Sequence, residues 1–115
     1  MEIKTKKLKG CTLVTIGGRV DSGWAPDLEK LLLGLIAVGE KNIVLSCGDL
    51  RFVSSAGLKV MWNTLRKARM AIPAGDLVVS QMPPEIKESF ELVGFDRLFK
   101  FFDSDADAIK HFQAK

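Results

Sequence analysis

The chain has 115 residues, 47% hydrophobic and 27% charged, with a formal net charge of +3. That length fits one domain spanning residues 1–115, with a core burying roughly two thirds of the unfolded surface. The charge excess is small, there is no Tyr, and the two Trp lie in apolar or loop settings, so no nucleic-acid partner is expected. Cys11 and Cys47 stand far apart, with no His or second Cys at ligand spacing, so no metal and no cofactor is expected. Sparse cysteine fits a reducing, cytoplasmic setting. The longest apolar run, "LLLGLIAVG" at 31–39, is about half the ~20 residues a membrane span needs. The charged amino-terminal stretch has no signal-peptide pattern, and direct membrane insertion is not expected.

Along the chain, "KTKKLKG" at 4–10 reads as an edge strand whose lysines discourage pairing between molecules. A phosphate- or lipid-binding patch is the other reading. "CTLVTIGG" predicts a strand, with Gly17 and Gly18 allowing a bend or bulge near its end. Pro26 suits the first position of a helix, and Asp27 and Glu29 complement its positive end. Leu28, Leu31, Leu32, Leu35 and Ile36 form one stripe at helical spacing, and Gly39 stops it. "NIVLSC" at 42–47 predicts a central strand covered on both faces, closed by Gly48 and Asp49.

A helix follows over about residues 55–70, with Leu58, Met61, Trp62 and Leu65 inward. "DLVVSQ" predicts a strand, and "PPEIKESFELVG" a helix opened by prolines and stopped by Gly94. "RLFKFF" at 97–102 predicts the last strand. The final helix carries Ser104 as its cap, three residues before Asp107. Alternation of this kind implies an α/β fold: a mixed, mostly parallel sheet of four to five strands with about four helices. The first two strands have no helix between them, so antiparallel pairing is expected at the amino-terminal edge.

Two loops gather polar residues where strands end and helices begin: "VDSGWAP" and "DLRFVSSAGL". In the second, Phe52 and Val53 are expected to tuck against the core. Ser54 and Ser55 then meet a helix start, where the plain reading of a serine is an N-cap. Enzyme chemistry is poorly supported, because a nucleophilic serine needs a base and the single His111 lies near the chain end. No phosphate-cradling loop is present, and Asp103, Asp105 and Asp107 lack the glycine and distal glutamate of a calcium loop. A third reading is a phosphorylation switch. Phosphate adds about −1.5 to −2 charges, which a helix amino end tolerates but a docked partner would feel. Trp24, in the first loop, is either a core plug or an exposed contact anchor.

The segment "NIVLSCGDLRFVSSAGLKVM" resembles the signature of STAS domains, the fold of bacterial anti-sigma factor antagonists, through Asp49, Leu50, Phe52, Val53, Ser55, Gly57 and Leu58. "GRVDSGWAPDLEKLL" and "ELVGFDRLFKFFDSDADAIKHF" are similar to the family's upstream and closing segments. The resemblance implies a STAS-type fold. It also implies a non-enzymatic antagonist that binds an anti-sigma factor/serine-protein kinase, frees a sigma factor for transcription, and is switched off by phosphorylation of Ser55. Partner contacts are expected from Asp21, Ser22, Gly23, Trp24, Ser54, Ser55, Ala56, Gly57 and Lys59. Ser54 replaces the acid that usually precedes the acceptor, and Ala56 replaces a second serine. Ser54 is therefore an alternative acceptor. The other function consistent with that loss is an unphosphorylated scaffold subunit of a stress-signalling or lipid-transport complex. Nucleotide or lipid binding is a third class, and weak homodimerisation is left open.

Overall fold

The computed structural model describes residues 1–113. Its elements are β1 (Glu2–Leu8), β2 (Cys11–Val20), α1 (Ala25–Ala37), β3 (Asn42–Val53), α2 (Ser55–Met70), β4 (Asp76–Ser80), α3 (Pro84–Leu92), a 3₁₀ turn (Phe95–Arg97), β5 (Lys100–Phe102) and α4 (Asp105–Gln113). The five strands lie in sequence order; β1 is antiparallel to β2, and β2 through β5 are parallel. The α/β class, the mixed sheet and the antiparallel amino-terminal edge are as the sequence predicts. β1 forms that edge with Lys4, Lys6 and Lys7 exposed.

Alternate residues along each strand divide the core between two faces. Val14, Ile16, Ile43, Leu45, Leu77 and Val79 pack with residues of α1, α2 and α3. Cys11, Val44 and Val78 pack instead with Ala108 and Phe112 of α4. Leu28 and Leu32 of the α1 stripe are fully buried, and Leu31, Leu35 and Ile36 flank them. α1 closes as a Schellman turn: Gly39, at φ +91°, donates to Ile36, and Glu40 donates to the carbonyl of Leu35 at 2.8 Å. At the α4 face, the Ser80 hydroxyl donates to Asp105 at 2.5 Å. Burial opposes the charge on Asp105, but hydrogen bonds from Ser80, Ser46 and Gln81 together outweigh it and hold the carboxyl below its ordinary range. Cys47 is fully buried; desolvation, with Asp105 nearby, pushes its thiol far up and keeps it protonated.

Three expectations are corrected. β3 does not close at Gly48 and Asp49 but continues to Val53, because the end of β2 supplies a partner: Gly17 faces Asp49, Gly18 faces Leu50 and Val20 faces Val53. Irregularities in register absorb the extra residues, and Gly17 permits the approach, since a Cβ there would lie 3.2 Å from that of Asp49. β5 begins at Lys100, not at residue 97. The preceding segment turns so that Phe95 reaches Trp62 at 5.9 Å and Phe99 meets Phe90 edge-on at 5.4 Å. Phe52 is not tucked into the core; it stays at the surface, with the Arg19 guanidinium 4.3 Å from its ring centre.

Candidate functional site

The extension of β3 places the polar loops side by side. Both leave the carboxyl ends of adjacent strands, and the Ser54 N–H donates to the Val20 carbonyl at 2.8 Å, joining them. Strand order never reverses, so the sheet has no crevice of the kind doubly wound sheets open at a switch point. What lies here is a surface.

Asp21 shapes the first loop. Its Oδ1 accepts from the N–H groups of Gly23 at 3.0 Å and Trp24 at 3.1 Å, while its carbonyl accepts from Ala25 at 2.9 Å. These bonds satisfy donors that would otherwise be orphaned at the helix start. The turn leaves Ser22 and Gly23 exposed and Trp24 45% exposed, so Trp24 is not a core plug.

The two serines divide their roles. Ser54 has extended backbone, and its Oγ accepts from the Gly57 N–H at 3.1 Å, capping α2. Ser55 is the first helical residue and is exposed. Gly57 is buried where a side chain cannot fit: a Cβ would lie 2.8 Å from Val53 Cγ1 and 3.1 Å from the Val20 carbonyl oxygen. The glycine thus lets the first turn of α2 settle onto both strand ends, which fixes the height at which Ser55 stands. Lys59 is exposed one turn beyond Ser55.

Ser22, Ala56 and Lys59 share an open groove of about 310 Å³ between the amino ends of α1 and α2. Ala25 and Val60 form its buried floor, and Pro26, Glu29 and Asn63 complete it. Sequence reading missed these last three. Asn63 follows Lys59 at i+4, a spacing that marks it as a neighbour, but Glu29 joins only once the two helices pack side by side. A wider groove, about 480 Å³, overlies the β2–β3 irregularity at Gly17, Gly18 and Gly48; none of the expected contact residues lines it.

The family model described as STAS domain matches residues 2–108. This chain belongs to the STAS domain family. Among its STAS relatives, BtrV of Bordetella bronchiseptica, named as a candidate anti-sigma factor antagonist, is 32% identical over 113 residues, 98% of this chain and 96% of that protein. The anti-sigma-F factor antagonist RsfB of Mycobacterium tuberculosis is 25% identical over 100 residues, covering 87% of this chain and 80% of its own. The fold is shared with the anti-sigma factor antagonist SpoIIAA. Its unphosphorylated form superposes with a TM-score of 0.85 at 14% identity, covering 99% of this chain and 98% of that one. The phosphorylated form, from Bacillus, gives 0.75 at 14% identity, over 96% and 98% of the two chains. No helix among the described residues is long and apolar enough to cross a membrane.

Proposed function

We propose that this STAS domain is an anti-sigma factor antagonist that docks on an anti-sigma factor/serine kinase through its two polar loops and is released by phosphorylation of Ser55. One observation carries the reading. The Ser55 hydroxyl is exposed at the first position of α2 while the neighbouring Ser54 does the capping. Adding phosphate to Ser55 therefore breaks no cap. The anion would sit at the positive end of a 16-residue helix, one turn from Lys59, where both the dipole and the cation favour it. The scaffold would tolerate the charge, and the docking surface beside Asp21 and Glu29 would become more negative. Asp21 would hold the Ser22–Trp24 turn against the partner, Trp24 would be the apolar anchor, and Ala56 and Lys59 would edge the α1–α2 groove, while the buried Gly57 would act from beneath by seating the first turn of α2.

Ser54 supports a single acceptor. Its oxygen already accepts from Gly57, so a phosphate there would disturb the cap. The absence of an acid at position 54 favours one further reading, an unphosphorylated scaffold subunit, in which the same surface binds without a switch.

Incubation with the cognate kinase and ATP, followed by phosphosite mapping, tests the proposal. Phosphate on Ser55, with loss of the kinase complex, is expected. Stable binding with neither serine modified would remove the switch and favour the scaffold.

A further inference from the structure

The far end of the helical layer carries a different surface. α2 reads SAGLKVMWNTLRKARM and contains no acid. Arg69 is engaged: its Nε lies 3.1 Å from Asp76, and its Nη2 donates to the Leu98 carbonyl at 3.1 Å. Arg66 and Lys67 are exposed, and neither makes an ion pair among the described residues. With Ile36, Met70 and Ala71 they line an open groove of about 340 Å³ between the carboxyl ends of α1 and α2. Apolar side chains stand out around it: Met70 is 73% exposed and Ile72 97%.

α3 is acidic on balance, with three glutamates against one cation, Lys87, whose Nζ lies 4.8 Å from the Phe101 ring centre. Ile86 and Phe90 are buried, while Glu85, Glu88 and Glu91 are exposed and make no ion pair among the described residues. Leu92 follows, 87% exposed. Positions 85, 88 and 92 recur at i, i+3 and i+7, so Glu85, Glu88 and Leu92 share one outward ridge, and Glu91 flanks it on the side that also carries Lys87. The chain therefore carries a basic, apolar-lined groove and an acidic ridge tipped by an exposed leucine, and it does not join them internally.

We propose that these surfaces are the two halves of one contact between copies of this chain. The α3 ridge of one copy lies along the α1–α2 groove of the next. Leu92 enters the groove beside Met70, and Glu88 and Glu91 face Arg66 and Lys67. Charge selects this pairing, because groove against groove or ridge against ridge would bring like charges together. The contact joins unlike surfaces, so each added copy offers a free half for the next. The patches are small, which places the association among weak, transient contacts. The groove begins about 16 Å along the α2 axis from Ser55 at helical rise, so self-association leaves the proposed docking loops open.

Sedimentation equilibrium across concentration and salt tests this. At low ionic strength, the average mass should rise above the 12.7 kDa monomer with concentration. It should return to the monomer at about 0.5 M salt, where screening is short-ranged. The double variants R66E/K67E and E88K/E91K should each stay monomeric, with circular dichroism matching the parent. Mixing the two in equal amounts should restore association, because each then meets its opposite charge. Leu92→Ala, which alters no charge, should also weaken the parent's association. Ser55→Asp should leave it unchanged, separating this contact from the proposed switch. A parent that stays monomeric up to about 1 mM, association that survives both charge reversals, or a mixture of folded variants that stays monomeric would each overturn the proposal.

Discussion

Two helices in this STAS domain begin with the same device and lead to different chemistry. In α2 the Ser54 oxygen accepts from the N–H three residues on at 3.1 Å; in α4 Ser104 does the same for Asp107, also at 3.1 Å. The difference lies in the next residue. Behind Ser54 comes Ser55, exposed to solvent. Behind Ser104 comes Asp105, whose carboxylate takes the hydroxyl of the fully buried Ser80. The first start leaves a modifiable group outside; the second uses its group to hold α4 on the sheet. A serine cap therefore does not mark a site. A cap whose neighbour has nothing else to hold is the more informative pattern.

The largest expected effect is at the open start. Ser55→Asp should weaken binding of the anti-sigma partner by about 100-fold or more, the scale of a like-charge or desolvated-charge mismatch within an interface, read by calorimetric titration. Folding stability should move by no more than about 0.5 kcal/mol, since an acid in the first helical turn is favourable. A large loss of stability would mean the hydroxyl is structural, and the contrast with α4 would fail.

Next comes the glycine that sets Ser55 in place. Gly57→Ala should cost about 2–3 kcal/mol, because the new methyl meets Val53 and the Val20 carbonyl with no flexible neighbour to yield. Gly34→Ala is the control within the helical layer. A Cβ there meets nothing within 4 Å, so this change should stabilise by about 0.5–1 kcal/mol. Urea denaturation of the two variants gives opposite signs if the close approach at Gly57 is what seats α2.

Much of this was legible in the residues. The span of α2, the Ser104 cap, the stop at Gly39 and the antiparallel edge follow from spacing and from glycine and serine chemistry. The tail of β3 did not, for a physical reason. Between Gly48 and Val53 only Leu50 and Val53 are buried, a three-residue spacing produced by the register shifts against β2, and it breaks the alternation that identifies a strand. The division of labour between Ser54 and Ser55 was also hidden, since either could stand at a helix start. Only the backbone conformation at Ser54 and its bond to Gly57 decide it. Glu29 and Asn63 come together through the side-by-side packing of α1 and α2, which no local pattern encodes.

The closed start is the next place to break the comparison. Asp105→Ala leaves the Ser80 and Ser46 hydroxyls buried without their acceptor, and should cost about 1–3 kcal/mol. Removing Ser80 as well should cost less than the two single losses combined, because the orphaned donor goes with it. The acid limb should report the same group. The folded carboxyl sits below its ordinary value, so its stabilisation is present above the unfolded value, near pH 3.9, and is lost as pH falls through the lower folded value. Asp105→Asn should flatten the loss of stability as pH falls below about 4 relative to the parent, measured by thermal unfolding along the acid limb. An unchanged slope would mean the carboxylate is solvated rather than held.

The smallest effects compare the caps themselves. Ser54→Ala and Ser104→Ala each remove one oxygen from one backbone N–H at the same 3.1 Å, so each should cost about 1 kcal/mol. Equal losses of stability are expected even though the helices differ in length. Their consequences should then diverge. Fraying the first turn of α2 loosens the backbone that presents Ser55, so Ser54→Ala should weaken partner binding by a few-fold and slow the proposed phosphorylation of Ser55 without moving it to another residue. Fraying α4 disturbs the opposite face of the sheet, so Ser104→Ala should leave both unchanged. Equal effects of the two variants on binding would mean that the partner reads the overall stability of the domain and not the geometry of one helix start.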